Sequence, residues 1–419
     1  MFTINEKTEI TPKTAVRYIL KHSVQCERYD RLSKYYEGEH DILNRRKKNG
    51  SANNRLVCNH AKYITDCTTG YFLGEPIMYS SKSGKDISAL TDALTQADSE
   101  TEDIDLARYS SIFGVSYEML YFSDDGRIKL ASLDPRSAFV VYDDSVEQKP
   151  VFGVYYMPVT GADGYKTGYR VYLCTKETVT EFLTTPSFTI TKKGSPYKHF
   201  FGDVPIIEFY NNWDRQSDFE QVTSLIDAYN VLQSDRVNDK EQFVDSLLVI
   251  KGQILGDDAE EESAAYNAIK QYGVMTIDDT GDAKWLTRQF DEQAVDILRR
   301  SIESDIHKFS GVPCLSDESF SGNSSGVALK YKLIGFEQMT KIKERYFTEG
   351  LKIRLKLMAN GLMMVGSQKI DTNDIRIIFT RSLPENELEL AQTINLLKGV
   401  VDEDRLEEMY LNSVKFNKS

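Results

Sequence analysis

The chain has 419 residues, of which 41% are hydrophobic and 27% are charged, and it contains 24 tyrosines and 20 phenylalanines. This composition excludes a disordered tail and predicts roughly two to four packed structural units. The formal net charge of −13 argues against a protein that grips nucleic acid over most of its surface, because such proteins neutralise phosphates with Lys and Arg.

The sequence offers no signal for export, a membrane span or a metal site. The amino-terminal MFTINEKTEITPK has no apolar core, and no run approaches the ~18 apolar residues that a bilayer span requires. The five cysteines are scattered without a close CxxC pair, as in reduced thiols of a cytosolic protein. The five histidines also fall singly, so we expect packing or surface histidines, no metal and no cofactor.

The first part of the chain is predicted to be mainly helical. Thr11 is the expected N-cap of a helix with Pro12 at its first position, and apolar residues at helical spacing follow. HAKYITDCTTGYF predicts a second helix that ends at Gly74–Pro76. From Ser111 onward the spacing of the apolar residues changes toward every second residue, which is the period of a β-strand.

Short β-branched or aromatic runs, separated by turn signals, predict an antiparallel meander in this second part. The runs are VSYEMLYF, RIKLASL, AFVVYDD, VFGVYYMPV, YRVYLCT, TVTEFLTT and SFTITKK, and VPIIEFYNN is the expected last strand.

A long amphipathic helix is predicted from Ser217, which has capping-box spacing with Glu220. The strands LLVIKG and GVMTIDD, with the short helix EEESAAYNAIKQY between them, separate it from a second helix at residues 290–309. A third helical run starts at Ser325 and is expected to stop at Gly361.

The loop SDESFSGNSSGVALKYKL, residues 316–333, joins the second and third helices and has the composition of a phosphate-binding loop. The loop does not match a P-loop, because a helix and not a strand precedes it and because it has no lysine at the position that a P-loop requires. Gly322 and Gly326 are also spaced wrongly for dinucleotide binding. Composition alone favours a flexible connector, with Ser324 or Ser325 capping the third helix.

Several segments together resemble the portal proteins of tailed double-stranded-DNA bacteriophages, of the siphophage type. They are YYEGEHDI, NNRLVCNHAKYITD, GYFLGEPI, SLIDAYNVLQSDRVND, HKFSGVP, SFSGNSSGVALKYKLIG and RIIFTRSLPENELELAQTINLL. The resemblance extends over nearly the whole chain, with its motifs in the family's order.

The resemblance implies an α+β fold with the family's architecture. Its parts would be a wing (1–215), two stem helices (216–246 and 288–310) around a small α/β clip (247–287), a tunnel loop (311–325), a long kinked wing helix with a wing strand (326–381), and a short helical crown (382–419). The glycines Gly335 and Gly350 independently predict a bend in the long helix.

The resemblance also implies a virion protein, assembled in the host cytoplasm, that forms a ring of about a dozen copies at one capsid vertex. Double-stranded DNA would pass through without sequence specificity during packaging and ejection. The implied partners are the terminase large subunit, the head-tail adaptor, and the scaffolding and major capsid proteins, with no membrane. ATP hydrolysis would belong to a separate motor, since this chain has no Walker motif.

Three sets of site residues follow from the resemblance. The tunnel loop lining the channel would contain Glu318, Ser319, Phe320, Ser321, Gly322, Asn323, Ser324 and Ser325. The stem candidates for the channel are Asp235, Asp239, Lys240, Arg299 and Arg300, and the clip candidates for partner binding are Asp278, Asp279 and Trp285.

Charge patterning agrees with a conduit. Residues 217–245 carry seven acidic side chains against Arg236 and Lys240, and an acidic wall would repel phosphates. The third helix is mainly basic. Solvent-exposed helix faces, on which acidic and basic residues of neighbouring subunits form pairs, explain the acidic and the basic helix equally well.

The rival hypothesis is a metal-dependent DNA-processing enzyme. Asp278, Asp279 and Asp282 could hold divalent metal, because two-metal catalysis needs convergent carboxylates. Ordinary turn chemistry beside Gly281 also explains this cluster, and explains it better.

Overall fold

A computed structural model describes residues 1–5, 7–47, 52–243, 247–251, 258–272, 282–286, 292–315, 331–366 and 369–381. The helices are α1 (Pro12–Glu37), α2 (His60–Leu73), α3 (Ser88–Gln96), α4 (Ser99–Phe113), α5 (Thr223–Phe243), α6 (Ala259–Tyr272), α7 (Glu292–Ser310) and α8 (Ile334–Met364). The strands are β1 (Phe2–Ile4), β2 (Met78–Ser81), β3 (Val115–Phe122), β4 (Ile128–Leu133), β5 (Ala138–Asp143), β6 (Pro150–Thr160), β7 (Lys166–Thr175), β8 (Thr178–Thr184), β9 (Ile190–Lys193), β10 (Tyr197–Lys198), β11 (Ile206–Tyr210), β12 (Leu247–Lys251), β13 (Asp282–Leu286) and β14 (Ile375–Ile378).

The expected mixture of helices and strands is confirmed, and the described residues fall into two compact units. Unit 2 takes residues 39–58 and 224–306. Unit 1 takes the described residues before, between and after those two ranges. No helix in the described ranges is both long and apolar enough to cross a bilayer.

Unit 1 contains a seven-stranded sheet in the order β1-β5-β6-β7-β8-β10, with β9 paired to β8. Its strands β5 to β8 form the predicted antiparallel meander. The prediction of one continuous meander is wrong at both ends. Strands β3 and β4 form a separate sheet with β11, and β1 joins β5 in parallel. Alternation of apolar and polar residues identifies a strand but does not show which other strand it pairs with. The sequence pattern therefore could not assign these strands to two separate sheets.

The longest-range pairing in unit 1 joins β2 and β14. Arg376 lies opposite Ser80 in this antiparallel pair. The strand expected in DIRIIFT is confirmed as β14, whereas β2 was not predicted from the sequence. The pairing joins two distant parts of the chain within unit 1.

The core around α8 depends on two glycines. A Cβ at Gly350 would lie 2.4 Å from Cδ1 of Phe209, and one at Gly361 would lie 2.8 Å from Cδ1 of Ile128. The prediction that Gly361 ends the helix is wrong, because α8 continues to Met364. Gly361 allows close packing against the β3–β4 sheet.

The predicted helix starts are largely confirmed. Thr11 Oγ1 accepts a hydrogen bond from the Thr14 N–H at 3.3 Å, with Pro12 in the first turn. Glu220 reaches back to the Ser217 N–H at 3.3 Å, as a capping box requires. The segment after it forms a 3₁₀ turn, so α5 itself begins at Thr223.

The strand pair of unit 2 differs from the prediction. β12 confirms the strand in LLVIKG and α6 confirms the short helix after it, but β12 pairs with β13. The strand predicted in GVMTIDD lies outside the described residues. Asp282 is the first residue of β13, opposite Lys251, so its predicted place on a turn is wrong.

A buried charged group joins three elements of unit 1. Arg354 on α8 donates from Nε and Nη2 to Glu118 on β3 at 2.8 and 2.7 Å, and its Nη1 lies 2.6 Å from Asp103 on α4. The side chains of Arg354 and Glu118 are fully buried. Burial raises the pKa of Glu118 to about 7 and also raises that of Asp103, while Arg354 opposes both shifts.

The raised pKa of Glu118 predicts that the stability of the folded chain depends on pH. Between its ordinary pKa and about 7, the folded chain keeps a proton on Glu118 that the unfolded chain has lost. The free energy of unfolding should therefore fall as pH rises through this range. Glu118→Gln should remove this part of the dependence, measured by denaturant unfolding at about pH 5 and pH 7.5. The exposed Glu349→Gln is the control, and equal pH slopes in wild type and Glu118→Gln would contradict the assignment.

Candidate functional site

The candidate stem residues lie on α5 and α7 of unit 2, and Asp235 is paired within its own chain. Arg45 donates to both carboxylate oxygens of Asp235 at 2.7 and 2.9 Å, and Lys47 Nζ donates at 2.8 Å. Burial alone would raise the pKa of Asp235, but the hydrogen bonds from Lys47 and Arg45 outweigh it and lower that pKa. Asp235 therefore contributes little free negative charge to the surface.

Arg299 is likewise occupied inside unit 2. Its Nε lies 3.0 Å from Asp296, its Nη1 lies 2.6 Å from Glu303, and the same Nη1 lies 3.5 Å from the hydroxyl of Tyr229. Only 21% of its side chain is exposed. The two carboxylates lie on α7 itself, and the contact with Tyr229 joins α7 to α5. Together these contacts leave Arg299 little freedom to meet a ligand.

Two of the five stem candidates present charge to solvent. Arg300 is 73% exposed although its Nε lies 2.7 Å from Asp296. Lys240 is 64% exposed and lies 3.7 Å from Glu292, which Arg236 also binds. Asp239 is half-buried. The structure thus separates the exposed Lys240 and Arg300 from the internally paired Asp235 and Arg299.

Sequence reasoning missed a polar ladder that ties an extended segment to α5. The N–H groups of residues 54, 56 and 58 donate to side-chain oxygens on successive turns of the helix. The pairs are Asn54 to Asn238 at 2.7 Å, Leu56 to Ser234 at 2.9 Å and Cys58 to Asn230 at 2.8 Å.

The three hydrogen bonds of the ladder form together because the spacing of donors along the extended segment matches the spacing of acceptors along the helix. Two residues of extended chain advance by about 6.6 Å, and four residues of helix advance by about 6 Å. The three acceptor residues are buried, with at most 1% of any of them exposed. The signal in the sequence is the spacing of Asn230, Ser234 and Asn238, four residues apart on one helical face.

The predicted tunnel-loop residues lie outside the described part of the chain, but the described residues on either side are held in unit 1. Before the loop, the Leu315 N–H donates to the Tyr63 hydroxyl at 2.9 Å, and this hydroxyl donates to the Pro313 carbonyl at 3.0 Å. After it, the Tyr71 hydroxyl donates to Glu337 on α8 at 2.9 Å.

Arg381, the last described residue, binds the same helix. Its Nε lies 3.0 Å from Glu337 and its Nη2 lies 2.5 Å from Glu344. Its guanidinium also lies over the ring of Tyr71, 5.6 Å from the centroid. Residues 379–381, which follow β14, are therefore fixed through Arg381 to the first half of α8.

The clip candidates are only partly described. Trp285 lies in β13 with its backbone opposite Leu248 of β12. Asp278 and Asp279, which carry both the partner-binding prediction and the rival metal-site hypothesis, lie outside the described residues.

Comparisons with known proteins point to one family. The family model described as "Phage portal protein, SPP1 Gp6-like" matches residues 17–409. A portal protein of Bacillus phage SPP1 is 24% identical over 397 residues, which cover 88% of this chain and 76% of that protein. A portal protein of Clostridium phage phiCD119 is 23% identical over 427 residues, covering 92% of each. The neck of an empty GTA particle has a chain that is 12% identical with a TM-score of 0.47, covering 83% of this chain and 89% of that one.

Proposed function

The chain belongs to the SPP1 Gp6-like family of phage portal proteins and has a portal role, and we propose that it forms a ring at one capsid vertex. The ring would contain about twelve copies of this chain and enclose the channel through which the genome is packaged and ejected. The family match over residues 17–409 is the observation that carries this proposal, because it includes every described helix from α2 to α8.

The proposed regions are those that the resemblance implied. Unit 1 contains the proposed wing (1–215) except for residues 39–58, which belong to unit 2, and it also contains α8 and the wing strand. The proposed stem consists of α5 and α7, with the clip (247–287) between them, and the crown (382–419) follows Arg381. The tunnel loop (311–325) lies between α7 and α8, and the hydrogen bonds of Tyr63 support a firm attachment at its start.

The described charges support passage of double-stranded DNA rather than tight binding to the stem. Asp235 and Arg299 are neutralised within the chain, so exposed Lys240 and Arg300 are the stem candidates left to meet phosphates. Few phosphate contacts mean weak, sequence-independent attraction, which lets DNA slide. Ser, Gly and Asn in the tunnel loop, with Phe320, fit the same purpose.

The proposed partners follow from the position in the particle. The clip, with Asp278, Asp279 and Trp285, would dock the terminase large subunit and later the head-tail adaptor. Scaffolding and major capsid proteins would surround the ring, which would assemble in the host cytoplasm. The family's role is structural, and the metal-dependent enzyme has no support from it. ATP hydrolysis would remain with the separate motor.

Purified full-length protein should form closed rings of about a dozen copies, because a cyclic interface closes on itself. Mass photometry and negative-stain images would measure the mass and show a central hole. The same rings, incubated with plasmid DNA and Mg²⁺ or Mn²⁺, should leave the plasmid intact. Monomers and dimers at every concentration would contradict the ring, and metal-dependent cleavage would favour the enzyme.

A further inference from the structure

A cationic groove of about 550 Å³ lies in unit 1 between α8 and the segment 372–377, which includes part of β14. Four of the residues that line it are basic, and none of them is acidic. The basic residues are Lys82, Lys352, Lys356 and Arg376. In a chain with a net charge of −13, such a local excess of positive charge needs a physical explanation.

The backbone positions of these residues account for their convergence. Lys352 and Lys356 are one helical turn apart on α8, so they lie on the same face of the helix. Arg376 is exposed between the more buried Ile375 and Ile377, as alternation along a strand requires. Lys82 follows β2, the partner of β14, and its Nζ donates to the carbonyl of Asn373 at 2.7 Å.

Of the four basic side chains, Lys352 and Arg376 are available to bind a ligand, because Lys82 and Lys356 already have partners within the chain. Lys356 lies 3.3 Å from Asp203, and Lys82 is bound to the backbone as described. Lys352 and Arg376 are both exposed, and neither has an ion pair with any residue in the described ranges. Internal salt bridges therefore do not explain why these two side chains lie at the groove.

The remaining lining residues indicate the chemistry of the ligand. Thr372 and Asn373 add a hydroxyl and an amide group beside the four cations, whereas the hydroxyl of Thr348 donates to the carbonyl of Glu344. Lys, Arg, Thr and Asn are the side chains that commonly contact DNA phosphates. The other lining residues are aliphatic, so the groove offers no aromatic surface on which unpaired bases could stack.

We propose that this groove binds the sugar-phosphate backbone of duplex DNA, without reading its sequence. The proposal rests on the proposed function, since a chain that handles a DNA genome meets this ligand. A carboxylate-rich protein segment is the competing occupant. The Thr372 hydroxyl, the Asn373 amide and the exposed Lys352 and Arg376 together favour phosphate oxygens.

The test uses the full-length protein and a fluorescein-labelled 30-base-pair duplex, with anisotropy measured between 50 and 200 mM NaCl. The Lys352→Ala, Arg376→Ala variant should lose two phosphate contacts. The slope of log affinity against log salt should then become less steep by about 1.8, which is roughly a tenfold smaller loss of affinity over this range. Each single variant should give about half of that change.

The matched control is Lys13→Ala, Lys192→Ala, which removes the same charge from two exposed lysines elsewhere in unit 1. Its salt slope should remain that of wild type. An unchanged slope in the groove variant would overturn the proposal, as would loss of poly-glutamate binding with DNA binding intact, which would identify an acidic protein partner. Ring formation is measured on the same samples, so intact rings with an unchanged slope refute the groove alone, whereas absent rings refute the proposed function.

Discussion

Replacing Arg354 with methionine should lower the free energy of unfolding of the chain by about 3–5 kcal/mol. The substitution keeps a long side chain in the core but removes the only positive charge that contacts both Asp103 and Glu118 in the described structure. Two buried carboxyl groups then lose their partner, and desolvation is no longer compensated. Chemical denaturation of the full-length protein measures the change.

The control for Arg354 is Arg345→Met on the same helix, where the side chain is exposed and should tolerate the change within about 0.5 kcal/mol. Adding Asp103→Asn and Glu118→Gln to Arg354→Met should recover part of the lost stability, because no unpaired charge remains buried. Equal losses for Arg354→Met and Arg345→Met would show that the buried group is not needed.

Removing the polar ladder should release residues 52–58 from α5. In the Asn230→Ala, Ser234→Ala, Asn238→Ala variant, three backbone N–H groups lose acceptors that lie in a buried environment. Each orphaned group costs about 1–3 kcal/mol while it stays buried, so the extended segment should detach and hydrate instead. Hydrogen exchange of the amides at Asn54, Leu56 and Cys58 should accelerate by orders of magnitude.

A pair of serines on α5 gives the matched control for the ladder. Ser234 is fully buried and accepts from Leu56, whereas Ser224 is exposed. Ser234→Ala should speed exchange at Leu56 and lower stability, and Ser224→Ala should change neither. Slow exchange at all three amides in the triple variant would mean that other contacts hold the segment.

The sequence predicted features that depend on neighbours along the chain. The N-cap at Thr11 and the strands of the meander needed only local preference and periodicity, and the structure confirms them. Local preferences could not predict which strands pair, because β3 pairs with a strand about ninety residues later in the chain. Gly361 shows the same limit, since a glycine that ends a helix and one that admits a neighbouring side chain look alike in sequence.

The candidate site was predicted unevenly for a related reason. Motif order identified the family, and the helical spacing of apolar residues predicted α5 and α7. Charge counting did not reveal which charges are free, because Arg45 and Lys47, which neutralise Asp235, are nearly two hundred residues away from it in sequence. The cationic groove was missed because its residues come from three separate segments.

The attachment of Arg381 has a mechanical consequence. A pull on the chain beyond residue 381 would load two ion pairs on α8 together with the four-residue strand β14. Glu337 and Glu344 lie about two turns apart, so the load is shared along the helix axis rather than concentrated at one point. The same helix begins on the far side of the proposed tunnel loop and packs in the core of unit 1. A short strand alone would peel from its partner one hydrogen bond at a time, whereas here the two ion pairs of Arg381 carry part of the force that would otherwise act on the β2–β14 pair.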